Sequence, residues 1–286
     1  TGVALVTPFH KQGNIDFTSL GRLIDHTIEG GVDYLVSLGT TSEYPTLSSQ
    51  EQLAVVEFTI EKVENRVPVV LGMGGNDTRS LVDKIRHTDL SSIAAILSVA
   101  PYYNKPNQKG LYAHYKAIAE ASNTPIILYN VPGRCGVNMT AETTLQLAND
   151  FSNIIGIKEA SGNMAQCMEI LANKPQGFTV VSGEDALVLP MIASGAQGVI
   201  SVAANAYPNI MSELVTHSLK SNMKKARAVH EKLLPFSNAI FDEGNPTGIK
   251  AALEIMGICQ NNLRQKKKKS SKQLYSKLQT IINNID

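Results

Sequence analysis

Lys158 closes the apolar run Ile154-Ile155-Gly156-Ile157, whereas nearly every other lysine of the chain falls on a helical or loop segment. An amine at the inner end of a buried strand loses hydration, which lowers its pKa. A partly neutral lysine can then attack a carbonyl and form a Schiff base. Position alone leaves a second reading open, in which Lys158 merely pairs with Glu159 or another strand-end carboxylate. Its company favours the first. Tyr129 ends the preceding strand-like run at the same height, where a phenol could pass a proton or sit in the core with its hydroxyl satisfied. Thr40-Thr41 offers hydroxyls and backbone N–H groups to a carboxylate, or caps a loop. Arg134, between Gly133 and Gly136, could clamp a carboxylate with two parallel hydrogen bonds or lie in solvent. Ser182-Gly183 admits close backbone approach to a ligand, or is a simple turn. The adjacent phenols Tyr102-Tyr103 read as interface residues.

Other chemistries find less support. The six histidines are scattered, with no H-E-x-x-H spacing, so no metal site is expected. No G-x-S-x-G elbow occurs. A glycosidase carboxylate pair could be drawn from Glu43 and Glu159, but it leaves Lys158 unexplained. Gly72-Met73-Gly74-Gly75-Asn76-Asp77 lacks the third glycine of a dinucleotide turn, and no Walker sequence is present. Cys135, Cys167 and Cys259 cannot all pair and have no C-x-x-C spacing, which speaks against a disulfide scaffold and for a reducing cytoplasm. Twenty-six basic against 25 acidic residues give a net charge of +1, so charge-driven nucleic-acid binding is not expected. The 43% apolar content is too high for a disordered chain. No apolar run reaches the roughly 18 residues of a membrane helix. The chain enters a strand-like run at Gly2-Val3-Ala4 without a basic leader or an initiator Met, so no signal peptide and a trimmed start are expected.

The elements that must hold these residues alternate. Eight short runs rich in Val, Ile and Leu occupy residues 3–8, 34–38, 67–71, 94–100, 125–129, 154–158, 178–182 and 198–203. Most are continuously apolar, as strands buried on both faces are. Amphipathic segments lie between them. Phe17, Leu20, Leu23, Ile24 and Ile28 share one helical face, as do Leu53, Val56, Ile60 and Val63 behind a capping box from Ser48 to Glu51. Leu111, Tyr115, Ile118 and Ala119 mark a further helix, and Leu145, Leu147, Ala148 and Phe151 another, capped by Thr140. Eight such units predict an α/β chain folded as a (β/α)8 TIM barrel, with a doubly wound open sheet as runner-up. The barrel is expected over 1–220. Residues 221–286 read as a C-terminal α-helical appendage that is not an independent domain. Helices are expected at 211–219, 223–234, 249–256 and 274–282. The lysine run at 266–269 reads as a solvated turn between helices.

The motifs combine into a known pattern. Gly39-Thr40-Thr41-x-Glu43, Pro101-Tyr102-Tyr103-Asn104-x-Pro106, Tyr129-Asn130-Val131-Pro132-Gly133-Arg134-x-Gly136, Gly156-Ile157-Lys158-Glu159-Ala160-Ser161-Gly162-Asn163 and Gly198-Val199-Ile200-Ser201-Val202 follow one another. The chain resembles the dihydrodipicolinate synthase family of pyruvate-dependent class I aldolases from Thr1 to about Leu263. The resemblance implies condensation of pyruvate with L-aspartate 4-semialdehyde, in lysine and diaminopimelate biosynthesis, without metal or organic cofactor. It implies that Lys158 forms the imine and that Tyr129 passes protons. Thr40 and Tyr103 would complete a relay, with Tyr103 reaching in from a neighbouring subunit of a homodimer or tetramer. Thr41 would contact the pyruvate carboxylate and Arg134 that of the semialdehyde. Gly183 and Ile200 would line the lysine's pocket. A cytoplasmic enzyme with neither membrane nor nucleic-acid partner follows. Two alternatives remain: a lyase of a sugar keto acid such as N-acetylneuraminate, against which Arg134 and Thr40 speak, and a non-catalytic ligand-binding barrel. Departures from the family pattern include Ser42, Tyr44 and the lysine run. Ser49, Gln52 and Ser80 stand where lysine-sensitive members carry effector-binding residues, so weak inhibition by L-lysine is expected.

Overall fold

The computed structural model describes residues 1–264 and 269–285. Its strands are β1 (Gly2–Ala4), β2 (Tyr34–Ser37), β3 (Val69–Gly72), β4 (Ala95–Val99), β5 (Ile126–Asn130), β6 (Ile154–Glu159), β7 (Thr179–Ser182) and β8 (Gly198–Ser201). They follow one another around a closed barrel in sequence order. The registers are parallel, for instance Leu97 beside Ile127 and Ile157 beside Val180. The open sheet is thereby excluded. Strand residues such as Val3, Leu35, Ile96, Leu128 and Val199 are buried, as a parallel sheet covered by helices requires.

The helices up to β6 are α1 (Phe17–Glu29), α2 (Ser49–Val63), α3 (Thr78–His87), α4 (Gln108–Ala121), α5 (Pro132–Cys135) and α6 (Ala141–Asp150). After it come α7 (Met164–Asn173), α8 (Val188–Ala193), α9 (Pro208–Leu219), α10 (Met223–Ala239), α11 (Thr247–Ile255) and α12 (Lys272–Ile285). Their starts follow capping chemistry. The expected box at Ser48 and Glu51 forms, and Thr140 accepts from the Thr143 N–H. Asp16, Asp77, Asn107 and Asn163 cap four more helices.

Two strands, β1 and β8, end at least two residues before their apolar runs do. The Leu5 N–H still reaches Val36 O at 3.1 Å, but the Val6 N–H donates to Asn205 Oδ1 at 3.1 Å. The same side chain donates to Ala4 O at 2.8 Å, so a buried asparagine replaces the ladder at the end of β1. It comes from the tight turn Ala203–Asn205, which ends β8 at Ser201. Conversely, the helix expected to stop at residue 234 runs on to Ala239 through Pro235. Burial of Phe236, Ala239 and Ile240 supplies the reason, since apolar packing outweighs the hydrogen bond that proline forgoes.

Two compact units are distinguished. The first comprises Thr1–Val69 and Ser201–Asp286, and joins β1, β2, α1 and α2 to the C-terminal helices α9 to α12. The second is Val70–Ile200, with α3 to α8 and β3 to β8 apart from Val69 and Ser201. Of the lysine run only Lys269 is described, exposed and 4.0 Å from Glu254; the expected turn otherwise lies outside the described residues. Among the described residues no helix is long and apolar enough to cross a membrane, and no group of three His, Cys, Asp or Glu could hold a metal. All three cysteines are buried and free.

Candidate active site

The second unit carries Lys158 on β6 and Tyr129 on β5. Their register depends on one extra residue. Ile126 lies beside Ile154, yet Ile127 lies beside Gly156, so Ile155 is bulged out of the pairing and is 38% exposed. From there on every partner is displaced by one position, which sets Lys158 beside Tyr129 and Glu159 beside Asn130. Side chains alternate faces along a strand, so the bulge decides which pair shares a face. The lysine Nζ stands 4.5 Å from the centre of the Tyr129 ring. Gly156 permits the close pairing that follows, because a Cβ there would lie 2.5 Å from Thr179 O.

Lys158 is 4% exposed. Burial pushes its pKa down to about 8, against the pull of Asp185 and Glu184 and with some repulsion from Arg134. Glu159, its neighbour in sequence, faces elsewhere. The carboxylate accepts from Asn130 Nδ2 at 3.0 Å, Gln166 Nε2 at 3.0 Å and the Ser161 N–H at 2.7 Å. Among the described residues Lys158 makes no ion pair within 4.0 Å, so the reading in which it merely neutralises Glu159 fails. Gly183, at the end of β7, leaves the lysine its room. A Cβ at 183 would meet Ala160 Cβ at 2.5 Å and Lys158 Cε at 3.0 Å. Ile200 on β8 is fully buried. Glu184 and Asp185, to which sequence reasoning gave no role, bring acidic charge to Lys158; burial first, and Asp185 second, raise the pKa of Glu184.

Arg134 is exposed on the single turn α5, which Gly136 ends at φ +73°. The segment after it is fastened from within the unit. The Met139 N–H donates to Asn130 Oδ1 at 3.0 Å, Asn138 Nδ2 donates to Gln166 Oε1 at 2.8 Å, and Gln108 Oε1 accepts from Thr143 Oγ1 at 2.8 Å. Tyr103, in the loop after β4, is 87% exposed and has a left-handed φ of +79°.

Thr40 and Thr41 belong to the first unit, on the tight turn Thr40–Ser42 after β2. Thr41 is buried and its Oγ1 accepts from Asn245 Nδ2 at 2.9 Å. Glu43, left-handed at φ +58°, ends the turn and is clamped by Lys250 at 2.6 Å. The Arg264 N–H donates to its other oxygen at 3.1 Å. Lys250 is fully buried, lies 4.2 Å from the centre of the Phe9 ring and donates to Asn262 O at 2.9 Å. Burial lowers its pKa and the Glu43 charge opposes that shift. Glu43 and Glu159 are thus each consumed by hydrogen bonds of their own, and the glycosidase pairing loses its carboxylates. Sequence reasoning missed Asn245 and Lys250. The only signal available for Lys250 was its position between apolar helix neighbours Ile249, Ala251 and Ala252.

A family model described as the Dihydrodipicolinate synthetase family matches residues 2–285. The chain belongs to this family. Within the family it is 49% identical over 263 residues to 4-hydroxy-tetrahydrodipicolinate synthase of Parabacteroides distasonis, which covers 92% of this chain and 89% of that protein. The crystal structure of dihydrodipicolinate synthase from Thermotoga maritima superposes with a TM-score of 0.97 at 39% identity, over 99% of this chain and 97% of that one. A monomeric dihydrodipicolinate synthase variant superposes with a TM-score of 0.96 at 39% identity, over 99% and 95% of the two chains.

Proposed function

We propose that the chain is a lyase, a 4-hydroxy-tetrahydrodipicolinate synthase, condensing pyruvate with L-aspartate 4-semialdehyde in lysine and diaminopimelate biosynthesis. The observation that carries the reading is Lys158: a buried amine with its pKa lowered to about 8, beside a phenol and without an ion-pair partner among the described residues. Its neutral form attacks C2 of pyruvate, and loss of water gives the imine. The protonated imine draws electrons from the methyl carbon, so a proton leaves and an enamine forms. The enamine carbon attacks the aldehyde of the semialdehyde. The substrate's amino group then adds to the imine carbon, closing the ring and releasing Lys158. The imine is itself the electron sink, so the reaction needs no cofactor.

Tyr129 moves protons at the imine and enamine stages, in a relay with Thr40 and Tyr103. Thr41 binds the pyruvate carboxylate, Arg134 that of the semialdehyde, and Gly183 and Ile200 line the lysine's pocket. The exposure of Tyr103 supports its insertion into the site of a second subunit, and with it a homodimer or a tetramer as the working form, in the cytoplasm. Weak inhibition by L-lysine belongs to the same reading. Gln52 Nε2 is held by Leu47 O at 3.1 Å, and the Asp77 carboxylate is engaged by Ser80 and the Arg79 N–H.

A reductase-coupled assay with both substrates tests the function. Arg134→Ala should lower kcat/KM for the semialdehyde about tenfold to a hundredfold, as loss of a charge-assisted contact does, with little change in imine formation from pyruvate. Turnover of N-acetylneuraminate or a keto-deoxy sugar acid, with none of the semialdehyde, would overturn the reading.

A further inference from the structure

We propose that Asn245 is a positioning residue for pyruvate, because its side-chain amide fixes the direction in which the Thr41 hydroxyl donates. The inference rests on the reading above, in which Thr41 holds the pyruvate carboxylate. Both residues belong to the first unit, 204 positions apart in sequence, and both are buried.

The argument is one of donors and acceptors. A threonine hydroxyl has one proton and two lone pairs, and an amide N–H can only donate. With Asn245 Nδ2 at 2.9 Å on a lone pair of Thr41 Oγ1, the hydroxyl proton points away from Asn245. Among the described residues that proton has no acceptor. A buried donor left open in this way is completed by a ligand or water, and a carboxylate only accepts. The incoming bond from Asn245 also polarises the hydroxyl and strengthens the bond it donates. An amide turned the other way would take the Thr41 proton for its Oδ1 and leave nothing for the substrate. Oδ1 is instead buried, with no hydrogen-bond partner among the described residues.

Asn245 is held firmly enough to do this. It lies in the connection between α10 and α11, just before Pro246, the N-cap of α11. That connection is packed so closely that a Cβ at Gly248 would meet Ile240 O at 2.2 Å. In the first turn of α11 the Lys250 N–H bonds Pro246 O at 3.0 Å, and the Lys250 side chain grips Glu43. The start of α11 thus holds the turn after β2 at two points, Thr41 through Asn245 and Glu43 through Lys250. Only the first bears on an atom that would face substrate.

Borohydride trapping of pyruvate measures this step without the second substrate. Trapping rate against pyruvate concentration should give a half-saturation value about threefold to tenfold higher for Asn245→Ala, the loss of one buried hydrogen bond, with a limiting rate close to wild type. Asn245→Asp should raise it further at pH 8, because the carboxylate accepts the Thr41 proton and repels pyruvate. Its ratio to wild type should fall as pH is lowered through the titration of that carboxyl, which regains a donor when protonated. In a Thr41→Val background Asn245→Ala should change half-saturation less than twofold, since residues acting as one unit are not additive. An undiminished effect of Asn245→Ala in that background, or no effect of either single variant, would overturn the proposal. If Asn245→Ala lowers the thermal midpoint too far to assay, the isosteric Asn245→Asp decides by its pH-dependent ratio, and a flat ratio counts against Asn245. A wild-type protein that traps no pyruvate would overturn the assignment of the site itself, so the two failures are distinguishable.

Discussion

Lys158, the proposed imine-forming residue, sets function against stability at a single side chain. Its folded pKa, about 8, lies below the ordinary 10.5. The unfolded chain therefore binds the proton more readily between those values. Stability rises with pH through that window, and the penalty of the buried charge is fully present below pH 8. Lys158→Met should abolish trapping yet raise unfolding stability at pH 7 by about 1–3 kcal/mol, since a buried charge is replaced by an apolar chain. Denaturant midpoints measure this, and a destabilised variant would contradict it. In the wild type the rate of trapping should climb with pH and level off above about 8, as the neutral amine becomes the main form. Gly183 tests the same pocket from the other side. The methyl of Gly183→Ala would press on Ala160 and Lys158, so trapping should slow at least tenfold and stability fall by about 1–3 kcal/mol.

Among the elements, the turn after β2 and the start of α11 are bound to one another across 207 positions by Glu43 and Lys250. Such a pair is strongly destabilising to break and nearly neutral to replace as a whole. Lys250→Met should destabilise by about 3–5 kcal/mol, because Glu43 is left charged and buried without its ammonium partner, with the Arg264 N–H still on its other oxygen. Adding Glu43→Gln to it should restore part of that loss, which urea unfolding of the two singles and the double would show. No restoration would mean that the pair acts through packing against Phe9 instead.

Beyond the single chain, Tyr103 is the residue least explained by its own fold, exposed and left-handed at a loop tip. Tyr103→Phe removes one hydroxyl and should lower turnover while leaving assembly unchanged by sedimentation. Mixing it with Lys158→Ala under subunit exchange should restore activity, because some sites then receive an intact lysine from one chain and an intact tyrosine from another. With exchange demonstrated by mass labels, the absence of recovery would place the relay within one chain.

The sequence by itself determined the eight strands, the closed parallel barrel class, the helices that carry a clear apolar stripe and the caps at Ser48 and Thr140, because continuous apolar runs, 3.6-residue stripes and capping residues are local signals. It also carried the family motifs, since those are contiguous at strand ends. It did not determine that Ile155 is looped out of β6, although that residue decides whether Lys158 or Glu159 shares a face with Tyr129. A bulge is a property of two strands together, and Ile155 is as apolar as its neighbours. Nor did it reveal that Asn205 would end β1, that Asn245 would bond Thr41, or that Lys250 would bury its charge on Glu43. Each of those partners lies some 200 residues away in the chain, where no spacing rule reaches, and only the closing of the tertiary structure brings a donor to its acceptor.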